Sequence, residues 1–316
     1  MNYPLISICI PAYKRPECLT RLLESIEIQT YKNFEIIVTD DTPGEEIEMV
    51  LQKFTHLPLR YFKNIPALGS PGNWNSAISK STAEWVQLMH ADDWYANPES
   101  LQQFAKAICT TKSSFIFSVS KEINTANGKK KNLFLNAEKR RLLDDNPVNL
   151  VFDNVIGHPS TVLFKKDEAI AYNTTYIWVV DIDFYIRYLN KHPGYTHITQ
   201  PLINIGIDEQ QISSTAYKNP FVEIPEYLLL INTFSEDIQN TNYFVFHCLW
   251  NLVRKFRIKN WSYIQTHGYS GSEMKVVHFI IDYQKRIPGL VLKQTNWSAV
   301  FVKKCFNNWL KNTANK

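Results

Sequence analysis

His90, Asp92 and Asp93 stand together in one short stretch, Glu84-Trp-Val-Gln-Leu-Met-His-Ala-Asp-Asp-Trp94. Trp85, Val86, Leu88 and Met89 read as a strand buried in a sheet. The carboxylates come where that strand runs out, and Asn97-Pro98 predicts a helix start just beyond. Adjacent carboxylates at the end of a buried strand repel one another and persist most easily where a cation neutralises them. Oxygen ligands suit Mg²⁺ or Mn²⁺, ions that commonly arrive with phosphates. In an open α/β sheet that strand end is also where ligands bind. Taken alone, the stretch fits an exposed Asp-Asp turn equally well, with Asn97 as a helix cap.

Two other acidic sets recur in comparable positions. Asp40-Asp41 follows the apolar run Phe34–Val38 and opens the turn-forming sequence Thr39-Asp40-Asp41-Thr42-Pro43-Gly44. Asp181-Ile-Asp183 heads a predicted helix over Phe184–Leu189, where capping by itself would account for Asp181.

The elements that must position these groups alternate. Leu5-Ile-Ser-Ile-Cys-Ile10 reads as a central strand buried on both faces. Pro16 marks a helix start, and Leu19, Leu22, Leu23, Ile26 and Ile28 follow at roughly helical spacing. A helix over Glu45–Phe54 and a strand over Leu59–Phe62 come next. Asn64–Asn73, with two prolines and two glycines, predicts a loop, and Trp74–Thr82 a short helix. Beyond the opening stretch, Pro98–Thr111 predicts a helix and Ser114–Ser120 a strand. Strands alternating with helices imply βαβ units and a mostly parallel sheet. Residues 121–147, carrying Lys129–Lys131, Lys139, Arg140 and Arg141, read as a solvated basic connection. Gly157-His158-Pro159-Ser160-Thr161 then precedes a strand over Val162–Phe164, and Ile205–Ile212 closes the region.

A chain of 316 residues with 45% hydrophobic and 20% charged content is globular and can bury a full core. Its five cysteines are scattered without a C-x-x-C pair, which argues against a structural zinc site or a disulfide framework and for a reducing cytosol. The N-terminal Met-Asn-Tyr-Pro lacks the basic region and cleavage site of a signal peptide, and no apolar run reaches membrane-spanning length. There is no G-x-G-x-x-G after the first strand and no G-x-x-x-x-G-K-[ST], which disfavours a dinucleotide-binding domain and a P-loop NTPase.

From about Pro220 the pattern becomes helical and aromatic: Tyr243, Phe244, Phe246, Leu249, Trp250, Leu252, Val253 and Phe256. Basic residues interleave, and from Asn242 onward only Glu273 and Asp282 oppose them. Two expectations follow: helices packed as a cap, and a basic face turned to an anionic membrane surface. Nucleic-acid binding rests on the same charge alone, without a reading helix or stacking platform, so no nucleic-acid partner is expected.

Taken together these residues resemble glycosyltransferase family 2, over about Leu5–Ser213 and in the family's order. Ile8-Cys-Ile-Pro11-Ala12-Tyr13 resembles the opening strand and nucleotide-base loop, with Arg15 just beyond; Phe34–Asp41 resembles the second strand with its acidic pair, Asp40 and Asp41. Gly72-Asn-Trp-Asn75 resembles the segment that usually carries Arg-Asn, with Trp74 in place of the Arg and Asn75 matching the Asn. His90-Ala91-Asp92-Asp93 resembles the D-x-D-D metal motif with His90 for its first Asp. Val180-Asp181-Ile-Asp183-Phe-Tyr-Ile-Arg187 resembles E-D-x-D-x-x-x-R, with Val180 for the Glu. His158-Pro-Ser160 resembles a segment near the acceptor pocket, and Asp208 stands where many members carry a His.

The resemblance implies a GT-A fold: a Rossmann-like, mostly parallel sheet flanked by helices, with a C-terminal helical extension. It implies a catalytic domain over 1–215, its nucleotide-sugar half about 1–120 and its acceptor half about 121–215, followed by a basic aromatic region over 216–316. The implied activity is inverting transfer from a nucleotide-diphosphate sugar, UDP-linked by family habit, to a glycan or lipid-linked glycan in bacterial surface-polysaccharide assembly. Pro11, Ala12, Tyr13, Arg15, Asp40, Asp41, Asn75, His90, Ala91 and Asp92 would meet the donor. Asp92 and Asp93 would hold Mg²⁺ or Mn²⁺, Asp181 would be the catalytic base, and His158 and Asp183 would face the acceptor. The implied place is the cytoplasm, peripheral to the inner membrane face. The departures at Trp74, His90 and Val180 also motivate an alternative, a sugar-nucleotide-binding scaffold without turnover. Oligomeric state is not set by these patterns.

Overall fold

The structure, a computed structural model, describes residues 4–133, 135–208, 215–286 and 297–314. The chain forms two compact units, Met1–Arg141 with Val155–Gln211, and Leu142–Asn154 with Ile212–Lys316. Segment Leu142–Asn154, within the stretch read from sequence as part of the first domain, thus belongs to the second unit.

In the first unit, β1 (Ile6–Ala12), α1 (Pro16–Glu27), β2 (Phe34–Asp40), α2 (Glu46–Leu51), β3 (Leu59–Lys63), α3 (Ser70–Ser79) and β4 (Trp85–Leu88) alternate as the hydrophobic pattern predicts. β5 (Trp94–Tyr95), α4 (Ser100–Thr110), β6 (Phe115–Asn124), β7 (Lys130–Leu133), β8 (Val162–Lys165), α6 (Val180–Lys191) and β9 (Thr196–Ile207) complete it. Helix α5 (Ala137–Asp145) lies between β7 and β8. The strands form one sheet in the order β3-β2-β1-β4-β8-β6-β9-β5, with β7 paired to β6. Pairing is parallel across β3-β2-β1-β4, and beyond β4 it is mixed: β8 is antiparallel to both β4 and β6, while β9 runs parallel to β6. Both faces of the parallel half are buried: Ile6, Ile8, Ile10, Ile36 and Val38 line one face in a cluster with Leu19, Leu22 and Phe104, and the intervening Ser7, Cys9 and Ile37 are buried as well.

Two local outcomes differ from the sequence expectation, and a third could not be anticipated from local pattern. Helix α3 starts at Ser70, with Pro71 in its first turn and Gly69 at φ 77° leading in. Residues that punctuate a loop therefore serve as a helix entry, because proline loses no hydrogen bond in the first turn. The basic connection is not irregular: β6 continues to Asn124, β7 follows, and Lys130 and Lys131 are exposed on that added strand, with Lys129 exposed just before it. Lysine there suits a sheet edge. Strand β9 carries Pro201, which argues against a strand; the β6–β9 register shifts on either side of Val119, the residue opposite Pro201, and so accommodates it. Glu209–Ile212 and Ser213, also cited from sequence, lie outside the described residues.

The second unit contains α7 (Pro220–Asn232), α8 (Glu236–Thr241), α9 (Tyr243–Phe256), α10 (Trp261–Thr266), α11 (Lys275–Lys285) and α12 (Trp297–Ala314). Phe246, Leu249, Trp250, Val277, Ile280 and Phe306 are buried in it. Asn242 caps α9 by accepting from the Phe244 and Val245 N–H groups. Its basic residues are less unopposed than the sequence indicates. Glu223 and Glu236, which precede Asn242, pair with Lys255 at 2.5 Å and Lys275 at 3.1 Å. Lys303 is buried between the Phe246 and Phe306 rings and donates to the Asn240 carbonyl. Among the described residues no helix is long and apolar enough to cross a membrane.

Candidate active site

Parallel pairing brings the carboxyl ends of β1, β2 and β4 to one side, with Ala12 opposite Asp40 and Cys9 opposite Leu88. Just past β4, His90, Asp92 and Asp93 each offer a ligand atom within 4.8 Å of the others. The turn that carries them is held from three directions. The Arg21 guanidinium donates to the Asp92 carbonyl at 2.8 Å and lies over the Trp94 ring. The Ser160 hydroxyl accepts from the His90 N–H at 3.0 Å. Gly206 on β9 donates its N–H to Asp93 Oδ1 at 3.1 Å, and a Cβ there would lie 2.4 Å from the Asp92 carbonyl oxygen. Only glycine permits that approach.

Asp93 faces inward and is 2% exposed. Burial and the neighbouring Asp92 charge raise its pKa well above the usual carboxylate range, against hydrogen bonds from Ser160 and Gly206. Burial lowers the His90 pKa to about 4, although the Asp92 charge opposes it, so the ring is neutral near pH 7. Burial likewise lowers the His158 pKa, with Glu122 and Asp92 opposing. Asp92 thus acts on both imidazoles. Arg15, in a left-handed backbone conformation at φ 58°, sets its guanidinium 3.6 Å from Asp92 and pairs with Asp208.

Trp74 and His90, two of the departures from the family pattern, touch. Their rings lie 4.7 Å apart. Trp74 also meets the edge of Tyr172 at 5.2 Å, and Tyr172 stacks on Phe184 of α6 at 4.1 Å. Asn75 grips the same tyrosine: its amide donates to the Tyr172 carbonyl and accepts from its N–H, both at 2.8 Å. Asn75, expected at the donor, is engaged in positioning Tyr172. Asp181 lies in the first turn of α6 and accepts from the Ile182 N–H at 2.9 Å. Its charge, after burial, helps raise the pKa of both Tyr172 and Tyr185. Asp183, expected on the acceptor side, is 3% exposed and accepts twice from Arg187, which also reaches the Ala171 carbonyl. It is a structural ion pair one turn along the helix.

The Asp40-Asp41 pair is closed too. Asp40 accepts from the Thr42 N–H, the Tyr61 hydroxyl and Lys63 Nζ, at 2.7, 2.9 and 2.9 Å. Asp41 accepts from Asn64, the Leu68 N–H and the Gly69 N–H, at 2.8, 3.0 and 2.9 Å. The two residues are 0% and 5% exposed, and their carboxylates shape the loop beside the β1 end. Pro11 and Ala12 close β1, and Tyr13 stands exposed beyond them. Ala91 packs against the core. Sequence reasoning did not single out Asn73, whose amide holds the Ala12 carbonyl at 3.1 Å, nor Arg21, Tyr172 or Gly206. A lone glycine in a strand was the one signal available, at Gly206.

The residues present fit a divalent cation. They supply one imidazole and two carboxylates, and His90 Nε2 is buried without a hydrogen-bond partner. The family model described as "Glycosyl transferase family 2" matches residues 7–170. An uncharacterized protein of Mycobacterium tuberculosis, MT1568, is 27% identical over 197 residues, covering 58% of this chain and 61% of that protein. The Escherichia coli UDP-Glc:alpha-D-GlcNAc-diphosphoundecaprenol beta-1,3-glucosyltransferase WfgD is 27% identical over 103 residues, 32% of this chain and 41% of its own. The matches thus span less than two thirds of either relative. Among solved structures, Staphylococcus aureus TarS 1-349 in complex with UDP-GlcNAc aligns with TM-score 0.57 at 16% identity, over 89% of this chain and 91% of its own. The Pyrobaculum calidifontis mannosyltransferase PcManGT in complex with GDP-Man and Mn²⁺ aligns with TM-score 0.57 at 12% identity, over 98% and 89%. At these identities the likeness is one of fold.

Proposed function

The chain belongs to glycosyltransferase family 2, and from that premise we propose that it is an inverting, metal-dependent enzyme transferring a sugar from a nucleotide-diphosphate sugar to a glycan hydroxyl. One observation carries the reading. An aromatic wall of Trp74, Tyr172 and Phe184 runs from the His90–Asp92 cluster to the helix that bears Asp181. The donor would lie across the strand ends, its base near Pro11–Tyr13 and its diphosphate by Asp92 and Arg15. Asp92 and Asp93 would hold Mg²⁺ or Mn²⁺, which when bound neutralises charge on the departing diphosphate. Asp181 would take the proton of the acceptor hydroxyl as its oxygen bonds to the anomeric carbon and the bond to the diphosphate breaks. His158 would border the acceptor, while Asn75, Asp41 and Asp183 hold the walls.

UDP is the nucleotide of choice because WfgD is named for UDP-Glc and TarS was solved with UDP-GlcNAc. The diphosphoundecaprenol in WfgD's name supports a lipid-linked acceptor, with the protein peripheral on the cytoplasmic face of a membrane. Helix α12 suits such a face: Val300 and Phe301 are exposed on it, as are Lys304 and Lys311.

Thermal shift with UDP, GDP, CDP and dTDP, with and without Mn²⁺, tests the donor site on wild type and Asp92→Ala. Stabilisation by one nucleotide that needs both metal and Asp92 is expected. Asp181→Asn should keep that shift and lose transfer. Wild-type-like turnover by Asp181→Asn overturns the base assignment, and nucleotide binding without any donor consumption favours the scaffold alternative.

A further inference from the structure

We infer that His90 supplies a nitrogen ligand to the divalent cation, tilting the site toward Mn²⁺ over Mg²⁺, with Trp74 positioning the imidazole. This rests on the metal-dependent donor site proposed above and names what that site selects.

Mg²⁺ prefers oxygen ligands in near-ideal octahedral geometry, whereas imidazole binds first-row transition ions more readily. The cluster after β4 offers one imidazole among its carboxylates, all ligand atoms within 4.8 Å of one another. His90 Nε2 is buried with no hydrogen-bond partner. A buried ring nitrogen left so costs free energy, and a cation bound to it removes that cost. The turn and the ring each have a contact that does not depend on a cation. The Ser160 hydroxyl accepts from the His90 backbone N–H at 3.0 Å and holds the turn, and the Trp74 ring packs against the imidazole at 4.7 Å. Metal-ligating histidines depend on such surrounding contacts for their orientation. The contact also joins two of the family departures: where an Arg and an Asp are usual, this chain has an aromatic ring against an imidazole.

Pulsed EPR of the full chain with Mn²⁺, alone and with UDP, reads the ligand directly. A ¹⁴N modulation is expected in wild type, converted to a ¹⁵N pattern by ¹⁵N-histidine labelling. It should vanish in His90→Gln and persist in His158→Gln. By titration, wild type should bind Mn²⁺ at least about tenfold tighter than Mg²⁺, and His90→Asp should bring the ratio toward unity. Trp74→Ala should keep the nitrogen signal while weakening Mn²⁺ binding about tenfold, with Trp74→Phe restoring most of it. Bound Mn²⁺ with no nitrogen coupling in wild type overturns the inference and leaves the metal-dependent donor site standing. A signal that follows His158 also overturns it. Absence of Mn²⁺ binding in both conditions overturns the donor-site reading as well. The wild-type spectrum decides even if a variant fails to fold.

Discussion

Asp40-Asp41 and Asp92-Asp93 are both adjacent carboxylate pairs, and both stand where a buried strand of the same parallel sheet half ends. By residue type and topology they are equivalent, yet their surroundings differ. The first pair accepts six bonds from its own protein, to backbone N–H groups, a tyrosine, an asparagine and a lysine. In the second, Asp93 is met by Ser160 and the Gly206 N–H but lies buried beside the Asp92 charge, Asp92 faces the Arg15 guanidinium at 3.6 Å, and the adjoining His90 has a buried imidazole nitrogen without a hydrogen-bond partner. A carboxylate whose acceptor capacity is met inside the fold is architecture. One left in mutual repulsion beside an orphaned ligand atom is where a cation has something to gain.

The contrast breaks most visibly by substitution at Asp92. Asp92→Asn is expected to lower kcat/KM at least about 10³-fold, about 4 kcal/mol. Its melting temperature should hold or rise slightly, because Asp93 loses a repelling neighbour; a collapse in stability would put Asp92 in the structural class instead. Asp41→Ala should do the reverse. Three donors lose their acceptor, and the expected cost is about 3 kcal/mol of stability, read as a lowered melting temperature. If Asp41→Ala melts like wild type but loses nucleotide affinity, Asp41 is a ligand contact after all.

A double-mutant cycle sharpens the second half of the comparison. Trp74→Arg and His90→Asp should each impair activity alone, and together recover part of it, with a coupling of about 1–2 kcal/mol. Additive losses would mean that the two departures are independent. A third carboxylate gives the smallest effect. Asp167 lies 2.6 Å from Lys191 and 2.7 Å from His192, and bonds from both hold its pKa well below the usual range. A depressed folded pKa stabilises above the unfolded value of about 4 and loses that contribution as pH falls toward the folded one. Asp167→Asn should therefore melt slightly below wild type at pH 7, and the gap should close steadily below about pH 4. A gap that stays constant to pH 2 would show that charge is not its source.

Much of the fold is readable from local pattern. The apolar runs Leu5–Ile10 and Phe34–Val38, with helical spacing from Leu19 to Ile28 between them, dictate the βαβ start. Where local chemistry is ambiguous the reading slips, and each slip has a tertiary cause. Pro71 can punctuate a loop or open a helix, and the hydrogen bond from the Asn73 amide to the Ala12 carbonyl belongs with the second outcome. Glu223 and Glu236, remote in sequence, return to meet Lys255 and Lys275 and dilute a tail that composition alone reads as basic.

The order and spacing of the short motifs set the family, the strand ends and the carboxylates worth testing, because those depend on residue type and on neighbours close in the chain. Which carboxylates are closed was decided only by the tertiary structure. Asp41 is held by residues 23 to 28 positions away, Asp93 by Gly206 across 113 positions, and His90 is covered by Trp74 from helix α3. Hydrogen-bond satisfaction and burial are sums over everything that surrounds an atom. A linear sequence fixes an atom's identity, and folding fixes what surrounds it.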